Sequence, residues 1–217
     1  MPTLFLIGAG PGVSAAIARR FGREGFRVVS MARRADALER EVSALREAGI
    51  DAHARVVDAA DHAGLDAALG AAVQAHGSPD VLVYNAAGVR YKPLAELSAA
   101  ELMADLGVSV GGALAATRSV LPGMRARGGG KLFFTGGGFA FEPMPALASL
   151  GAGKAALRNL AFSLHAELKA SNIHAATVTI CGMVKPGTAF DPDLIAQSFW
   201  SLHGQAPGAF EREVMFK

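Results

Sequence analysis

Lys154 is the only charged residue in the segment ASLGAGKAAL, residues 148–157. A single ammonium group in such an apolar segment either lies on the surface, with its carbon chain over apolar atoms, or is held in place for a ligand. The segment is predicted to be helical, so Leu150, four residues earlier, lies on the same helix face as Lys154. Leucine offers no chemistry of its own, and any ligand of Lys154 must therefore be held by other parts of the chain.

Glycines 8, 10 and 12 in IGAGPGVS can form a turn that binds an anion. Between a strand and a helix, glycines permit a tight turn and close backbone approach, and the free N–H groups of the helix start face a phosphate. Pro11 has no N–H and fits the turn better than a central donor position. The alternative is an ordinary connection between a strand and a helix.

Two adjacent arginines, Arg33 and Arg34, follow the next predicted strand in SMARRAD, where the first carboxylate is Asp36. In dinucleotide-binding folds an acidic side chain here holds the free ribose 2′-hydroxyl, whereas arginine accommodates a 2′-phosphate. The pair therefore favours NADP(H) over NAD(H). The alternative is a solvated pair at a helix start, because arginine is common on surfaces.

Short β-branched or aromatic segments alternate with periodic Ala/Leu-rich segments along the whole chain. This pattern predicts strands at 3–7, 26–31, 51–57, 80–84, 131–135, 174–180 and 213–216, and helices at 13–23, 35–48, 62–76, 99–127, 149–170 and 192–203. The alternation predicts an α/β fold with a doubly wound, seven-stranded parallel sheet of the Rossmann type. Because no linker or repeat divides residues 1–217, we expect a single domain, with its functional loops at the carboxyl ends of the strands.

The composition narrows the classes of partner. The 217 residues are 51% hydrophobic and carry 21 basic and 19 acidic side chains, which argues against a nucleic-acid or membrane-surface partner. The one cysteine, Cys181, excludes an intrachain disulfide, and the six histidines have no close ligand spacing, so no metal site is expected. The uncharged start of the chain lacks the basic region of a signal peptide, and we expect a cytoplasmic location.

Several motifs together resemble the short-chain dehydrogenase/reductase family over about residues 3–216. The glycine turn GAGPGVS resembles the family's turn, with Ser14 where a further glycine is usual. Asp58 matches an acidic residue that the family places near the adenine, and YNAAG (84–88) resembles its Asn-Asn-Ala-Gly block. TRSVLPGM (117–124) and SLGAGKAALRNLAFSLHAEL resemble its two long helices.

The resemblance implies hydride exchange between a nicotinamide and a carbonyl or alcohol, in a homodimer or homotetramer packed through those two helices. It also implies a cofactor site, which together with the turn and the arginines comprises Gly8, Gly10, Pro11, Gly12, Val13, Arg33, Arg34, Asp58, Ala59, Asn85, Ala86, Gly88, Thr135, Lys154, Gly182 and Val184. In the family, a tyrosine four residues before the lysine exchanges the substrate proton, a serine stabilises the oxyanion, and an asparagine completes the set. The lysine lowers the pKa of the tyrosine and holds the ribose.

Only the lysine of those four catalytic positions is retained. Leu150 occupies the tyrosine position, glycines 136–138 occupy the serine region, and Ser109 occupies the asparagine position. A general acid contributes about 10²–10⁴ in rate and one oxyanion donor about 10²–10³, so ordinary carbonyl reduction should be very poor. Tyr91, just past Gly88, is the best substitute proton donor, and a surface tyrosine is the alternative. We therefore name Lys154 and Tyr91 as catalytic candidates.

The last predicted strand before the final helix is followed by CGMVKPGTAFDPDL, in which Gly182 and Val184 match the family and Cys181 replaces a proline. A short substrate loop near 185–191 should leave an open, apolar substrate side, with Phe139, Phe141, Met144 and Met183 as candidates for its lining. Two functions follow from these observations: an NADP(H)-dependent oxidoreductase with a non-standard proton path, or a non-catalytic NADP(H)-binding sensor or scaffold.

Overall fold

Seven strands and seven α-helices alternate along the chain in a computed structural model that describes all 217 residues. The strands are β1 (Thr3–Ile7), β2 (Arg27–Ala32), β3 (Ala52–Val56), β4 (Val81–Tyr84), β5 (Gly130–Gly137), β6 (Ile173–Ile180) and β7 (Glu213–Phe216). The α-helices are α1 (Val13–Arg23), α2 (Ala35–Glu47), α3 (His62–His76), α4 (Ala99–Leu106), α5 (Gly112–Arg127), α6 (Ala148–Leu168) and α7 (Pro192–His203). Single 3₁₀ turns lie at Leu94–Glu96, Gly138–Ala140, Pro145–Leu147 and Lys169–Ser171.

All seven strands form one parallel sheet in the order β3-β2-β1-β4-β5-β6-β7. The predicted doubly wound Rossmann-type sheet is therefore confirmed. The order of connection reverses between β1 and β4, and this is the point at which such sheets open a crevice at the carboxyl ends of their strands.

Each face of the sheet carries its own apolar core. On one face, 24 buried residues join the sheet to α1, α2 and α7; on the other, 23 join it to α3, α5 and α6. Every residue of β6 is buried, including His174, Thr177 and Thr179, as expected for a parallel strand that is covered on both faces. The two covered faces fix the sheet as a rigid platform, and the loops at its carboxyl edge carry the site.

The predicted single helix over 99–127 is interrupted by a π-helical turn at Gly107–Gly111. Tyr84 at the end of β4 donates a hydrogen bond to the Val108 carbonyl, and the Ser109 hydroxyl accepts one from the Gly88 N–H at 3.0 Å. Contacts from the loop after β4 therefore fix the widened turn. Periodicity alone could not show them, because they join residues 21 and 24 positions apart.

The prediction that β5 ends at Thr135 was also wrong, because Gly136 and Gly137 continue the strand and pair with Thr179 and Ile180 of β6. Glycine usually signals a loop, but here the neighbouring strand supplies the register. The limits of β2, β3, β4, β6, α2 and α6 differ from the prediction by one or two residues.

The helical run Ala99–Arg127 is long and apolar enough to cross a membrane by length and composition alone. A single helix of this kind is weak evidence, since core helices of other proteins meet the same criterion. In this fold the run packs against α3 and α6 and forms part of one layer over the sheet. The absence of a membrane partner stays a prediction.

Gly8, directly after β1, should tolerate no side chain. Its φ is +85°, and a Cβ there would lie 2.4 Å from the Ala86 backbone nitrogen. We expect Gly8→Ala to lower the free energy of unfolding by about 2–4 kcal/mol, from backbone strain and overpacking together. Gly10→Ala is the matched control, because a Cβ at Gly10 has no heavy atom within 4 Å. Urea unfolding measures both variants, and equal losses would show that the close approach to Ala86 is not limiting.

Candidate functional site

A crevice of about 500 Å³ lies at the carboxyl edge of the sheet, where β1 and β4 diverge. Four successive strand ends supply most of its lining. These residues are Gly8 and Ala9 after β1, Arg33 and Arg34 after β2, Asp58 and Ala59 after β3, and Asn85 to Arg90 after β4, with Asp105 and Val108 added from the α4–α5 region. The crevice is thus built where the fold predicts a ligand site.

The turn after β1 is held open by backbone hydrogen bonds. The N–H groups of Gly8 and Ala9 both donate to the Met31 carbonyl, at 2.9 and 3.0 Å. The Asn85 side-chain amide donates to the Gly8 carbonyl at 3.0 Å, which joins the loops after β1 and β4. These contacts explain why small or amide side chains occupy these two loops.

Helix α1 begins at this turn with an unblocked N-terminus. Gly12 precedes the helix with φ +93° and offers no side-chain cap, so the first N–H groups of α1 remain free for an anion. The Ser14 hydroxyl turns back and donates to the Gly10 carbonyl at 2.8 Å. Gly10, Pro11, Gly12 and Val13 do not line the crevice; Pro11 and Gly12 line a neighbouring cleft between α1 and α2 instead.

Arg33 and Arg34 both line the crevice and are both exposed. Neither guanidinium group takes part in the ion pairs of the structure, which occupy other arginines. After the neighbouring strand β3, Asp58 accepts a hydrogen bond from the Ala60 N–H at 2.9 Å and remains exposed. The crevice therefore has a positive rim after β2 and two carboxylates, Asp58 after β3 and Asp105 on α4.

Lys154 lies on α6, beside the end of β5. Its ammonium group donates to the Thr135 carbonyl at 2.6 Å, and its carbon chain runs past Gly137. Burial lowers the pKa of Lys154 to about 8, because a charged ammonium loses solvation there. The Thr135 hydroxyl is buried without a partner. Lys154 is thus a positioned cation rather than a surface lysine.

The three glycines of the serine region differ in the space beside them. A Cβ at Gly137 would face the Lys154 side chain at 3.4–3.6 Å, which is ordinary contact. At Gly136 it would meet the hydroxyls of Thr177 and Thr179 at 2.6 Å, and at Gly138 the Cys181 Cα at 3.1 Å. Only Gly137 therefore has room for a hydroxyl on the Lys154 side.

The two tyrosines have opposite environments. Tyr84 is fully buried, its hydroxyl donates to the Val108 carbonyl, and burial raises the pKa of its phenol. Tyr91 is 74% exposed on the loop before Leu94–Glu96, outside the residues that line the crevice. Its proposed catalytic role stays a prediction.

The loop after β6 is short and folded on itself. The Phe190 ring covers Gly182, where a Cβ would lie 2.2 Å from the ring, and Lys185 N–H donates to the Phe190 carbonyl at 3.1 Å. Asp191 caps α7 through the Asp193 N–H. Val184 and Met183 remain exposed, so this side of the site is open.

The structure therefore brings together Gly8, Arg33, Arg34, Asp58, Ala59, Asn85, Ala86 and Gly88 in one crevice. Thr135 and Lys154 form a second group at the end of β5, and Gly182 and Val184 follow β6. Sequence reasoning missed Arg90 and Asp105, whose side chains lie 3.4 Å apart at the crevice wall. One signal in the sequence could have indicated Asp105: it lies four residues before Ser109, and residues four apart share a helix face.

A family model described as short chain dehydrogenase matches residues 2–195, and the chain belongs to the short-chain dehydrogenase/reductase family. It is 30% identical over 205 residues to a 2,3-dihydro-2,3-dihydroxybenzoate dehydrogenase of Bacillus subtilis, covering 94% of this chain and 74% of that one. It is also 30% identical to dehydrogenase/reductase SDR family member 4 of Bos taurus, over 75% of this chain and 58% of that protein. The chain thus spans less than two thirds of that relative's length.

A solved structure of a metagenomic short-chain oxidoreductase in complex with NADP is similar throughout. Its TM-score is 0.90 at 28% identity, over 99% of this chain and 96% of the other. The fold is therefore that of the short-chain dehydrogenase/reductase family over nearly the whole chain.

Restoring the tyrosine alone should not restore family-like carbonyl reduction. Leu150→Tyr supplies a proton donor but no oxyanion donor. One oxyanion donor typically raises the rate of the chemical step by about 10²–10³. Leu150→Tyr with Gly137→Ser should reduce simple ketones with NADPH at least about 10²-fold faster than Leu150→Tyr. Leu150→Tyr with Gly136→Ser is the matched control, since its side chain has no room. Family-like rates from Leu150→Tyr alone would refute this account.

Proposed function

We propose that this chain is an NADP(H)-dependent oxidoreductase with a proton path that differs from that of its family. The observation that carries the cofactor preference is the pair of exposed, unpaired arginines at the rim of the crevice, Arg33 and Arg34. A 2′-phosphate would be bound there by charge-assisted hydrogen bonds, and no carboxylate stands at the end of β2 to hold a free 2′-hydroxyl.

The residues present fit a nicotinamide dinucleotide. The free N–H groups of α1 would hold the pyrophosphate, and the small residues after β1 and β4 allow the backbone to approach it closely. Asp58 would lie near the adenine, and Lys154 would hold the ribose. When bound, the cofactor supplies or accepts a hydride. The NADP complex of the similar metagenomic oxidoreductase supports this assignment.

Lys154 would act mainly through its charge. With a pKa of about 8, its ammonium group is largely protonated at neutral pH. It has three donors, of which the Thr135 carbonyl uses one. The remaining donors can bind ribose hydroxyls, and no carboxylate forms an ion pair with the ammonium group to compete for them. The lysine therefore suits cofactor binding without its usual tyrosine partner.

The proton path is the altered part of the mechanism. Leu150 can neither donate a proton nor accept one. Tyr84 is fully buried in the core, so its hydroxyl cannot reach a substrate. Tyr91 is the substitute that we propose, on a loop tied to the segment before α6 by the hydrogen bond from Lys92 N–H to the Ala146 carbonyl. A loop movement would have to carry its exposed phenol toward the crevice.

The substrate side would suit an apolar molecule. Phe141, Met144, Met183 and Val184 are all at least partly exposed around the loops after β5 and β6. The folded loop at 182–191 provides no extended lid over them. An apolar substrate would gain burial there that a small polar ketone would not.

The second candidate is an NADP(H)-binding sensor or scaffold without turnover. This candidate is favoured because Leu150 has no phenol and Gly137 has no hydroxyl. In either case we propose a cytoplasmic homodimer or homotetramer formed through α5 and α6. Under the second candidate, the assembly state would depend on whether the nucleotide is bound.

Replacing both arginines should change cofactor preference. The double variant Arg33→Ala, Arg34→Ala should lose about 10–100-fold in NADPH affinity, because a phosphate loses its charge-assisted hydrogen bonds, while NADH affinity changes little. Arg40→Ala is the matched control, an exposed arginine on α2 outside the crevice. Calorimetric titration with both nucleotides measures the difference. Equal losses for NADPH and NADH would remove the case for NADP.

Turnover separates the two candidate functions. For the oxidoreductase we expect NADPH consumption with at least one apolar carbonyl or activated alkene, and a loss of about 10²-fold or more in Tyr91→Phe. Tight NADPH binding without turnover on a broad panel would favour the sensor. Light scattering with and without NADPH then tests the sensor function. An oligomeric state that is the same with and without NADPH argues against a sensor.

A further inference from the structure

A second cleft, of about 280 Å³, lies between α1 and α2 beside the glycine turn. Its floor is formed by Leu6 of β1 and Ser30 of β2, which are partners in the sheet register. Its walls are mostly small or apolar: Pro11, Gly12, Ala15 and Ala18 from the α1 side, and Ala44 and Leu45 from α2. It shares no lining residue with the crevice at the strand ends, but Pro11 and Gly12 also belong to the glycine turn that would hold the pyrophosphate.

The floor of this cleft contains a polar group without a protein partner. Ser30 is only 2% exposed, yet it lines the cleft and its hydroxyl makes no hydrogen bond within the chain. The hydroxyl is therefore open to the cleft, where a ligand or water can bind it. Ser14, also 2% exposed, donates to the Gly10 carbonyl and keeps its acceptor lone pairs free.

The wall of the cleft contains an unpaired carboxylate, Glu41 of α2. It takes part in no ion pair, and its side chain is partly buried. Burial raises the pKa of Glu41, and the more distant charge of Arg34 opposes that change. The other charged residue of the cleft, Arg19, is already paired with Asp193 at 2.7 Å. The cleft therefore presents a carboxylate without an ion-pair partner and two serine side chains.

We propose that this cleft binds a small aliphatic ammonium ion, held by Glu41 and Ser30, with its carbon chain over Leu6 and Leu45. An ammonium group has three donors and no acceptor, which matches a carboxylate and a hydroxyl oxygen. The volume accommodates roughly nine water-sized groups, enough for a five-carbon amine. Anions are disfavoured by Glu41, and a neutral alcohol would leave its charge uncompensated.

The proposal does not depend on the nicotinamide site or on catalysis, since the binding is measured without a nucleotide. The probe is n-pentylammonium, titrated into the ¹⁵N-labelled protein while amide chemical shifts are followed. We expect saturable shifts confined to α1, α2 and the ends of β1 and β2. 1-Pentanol should bind at least about fivefold more weakly and pentanoate more weakly still, because only the ammonium pairs with the carboxylate.

Glu41→Gln should weaken n-pentylammonium binding by about fivefold or more, because it removes the charge and keeps the shape. Glu47→Gln is the matched control, an exposed glutamate on the same helix that lies outside the cleft. Ser30→Ala should weaken binding by a smaller factor and serves as a second test at the floor. Both glutamine variants should fold like the parent, because Glu41 is only partly buried, Glu47 is exposed and glutamine keeps the shape of glutamate.

Three results would overturn the proposal. One is the absence of any saturable shift with n-pentylammonium. Another is an affinity for 1-pentanol equal to that for n-pentylammonium, or an equal affinity of Glu41→Gln and Glu47→Gln for the amine. In either case the carboxylate would play no part in binding. The third is a set of shifts centred on Asp58 and Gly88, which would place the amine in the cofactor crevice.

Discussion

The contact on which the site depends is the close approach of two backbone turns at the point where β1 and β4 diverge. Gly8 adopts a left-handed conformation with its Cα against the Ala86 backbone, and the Asn85 side chain ties the two turns together. A side chain at Gly8 would push the turns apart and displace both walls of the crevice. The Gly8 and Ala9 N–H groups also bond to the Met31 carbonyl, so the position of the β2 turn, with its arginines, follows from the same contact.

A chain of contacts continues from that point to the altered catalytic end. Gly88 donates to Ser109 in the π-helical turn, and a Cβ on Gly153 of α6 would meet that same hydroxyl at 2.9 Å. Helix α6 therefore sits close to the turn, and this seats Lys154 at the end of β5. The geometry that positions Lys154 thus depends on Gly88, Ser109 and Gly153, whose contacts bring α6 and the turn together.

The sequence predicted most of the fold because strand and helix periods are local properties. Strands 3–7 and 213–216 and helices 13–23, 62–76 and 192–203 have the predicted bounds, and in the last two helices a capping aspartate, Asp61 or Asp191, marks the start. The π-helical turn and the extension of β5 through Gly137 were not predictable in this way. Each is set by a partner distant in sequence, Tyr84 and Gly88 in one case and β6 in the other.

The candidate site shows the same difference between residues that local sequence predicts and residues that depend on distant contacts. Residues directly after strands, such as Arg33 and Asp58, were found because a parallel sheet gathers its strand ends. Arg90 and Asp105 were missed because their pairing joins a loop to a helix. The serine region could be narrowed to Gly137 only in three dimensions, since the sequence shows three equivalent glycines and the structure shows which one faces Lys154.

The α1–α2 cleft and the crevice at the strand ends share supporting elements. Pro11 and Gly12 border the cleft, and α2, which carries Glu41, begins directly after Arg34. A ligand that holds α1 and α2 in one arrangement can therefore alter the turn and the arginines on which a dinucleotide would rest. Thermodynamic linkage makes any such effect reciprocal, so a factor by which an amine changes nucleotide affinity must equal the factor by which the nucleotide changes amine affinity. Because Glu41 and the arginines carry opposite charges, an ammonium ion that neutralises Glu41 would raise the positive potential near Arg34, and the sign of the coupling should be positive.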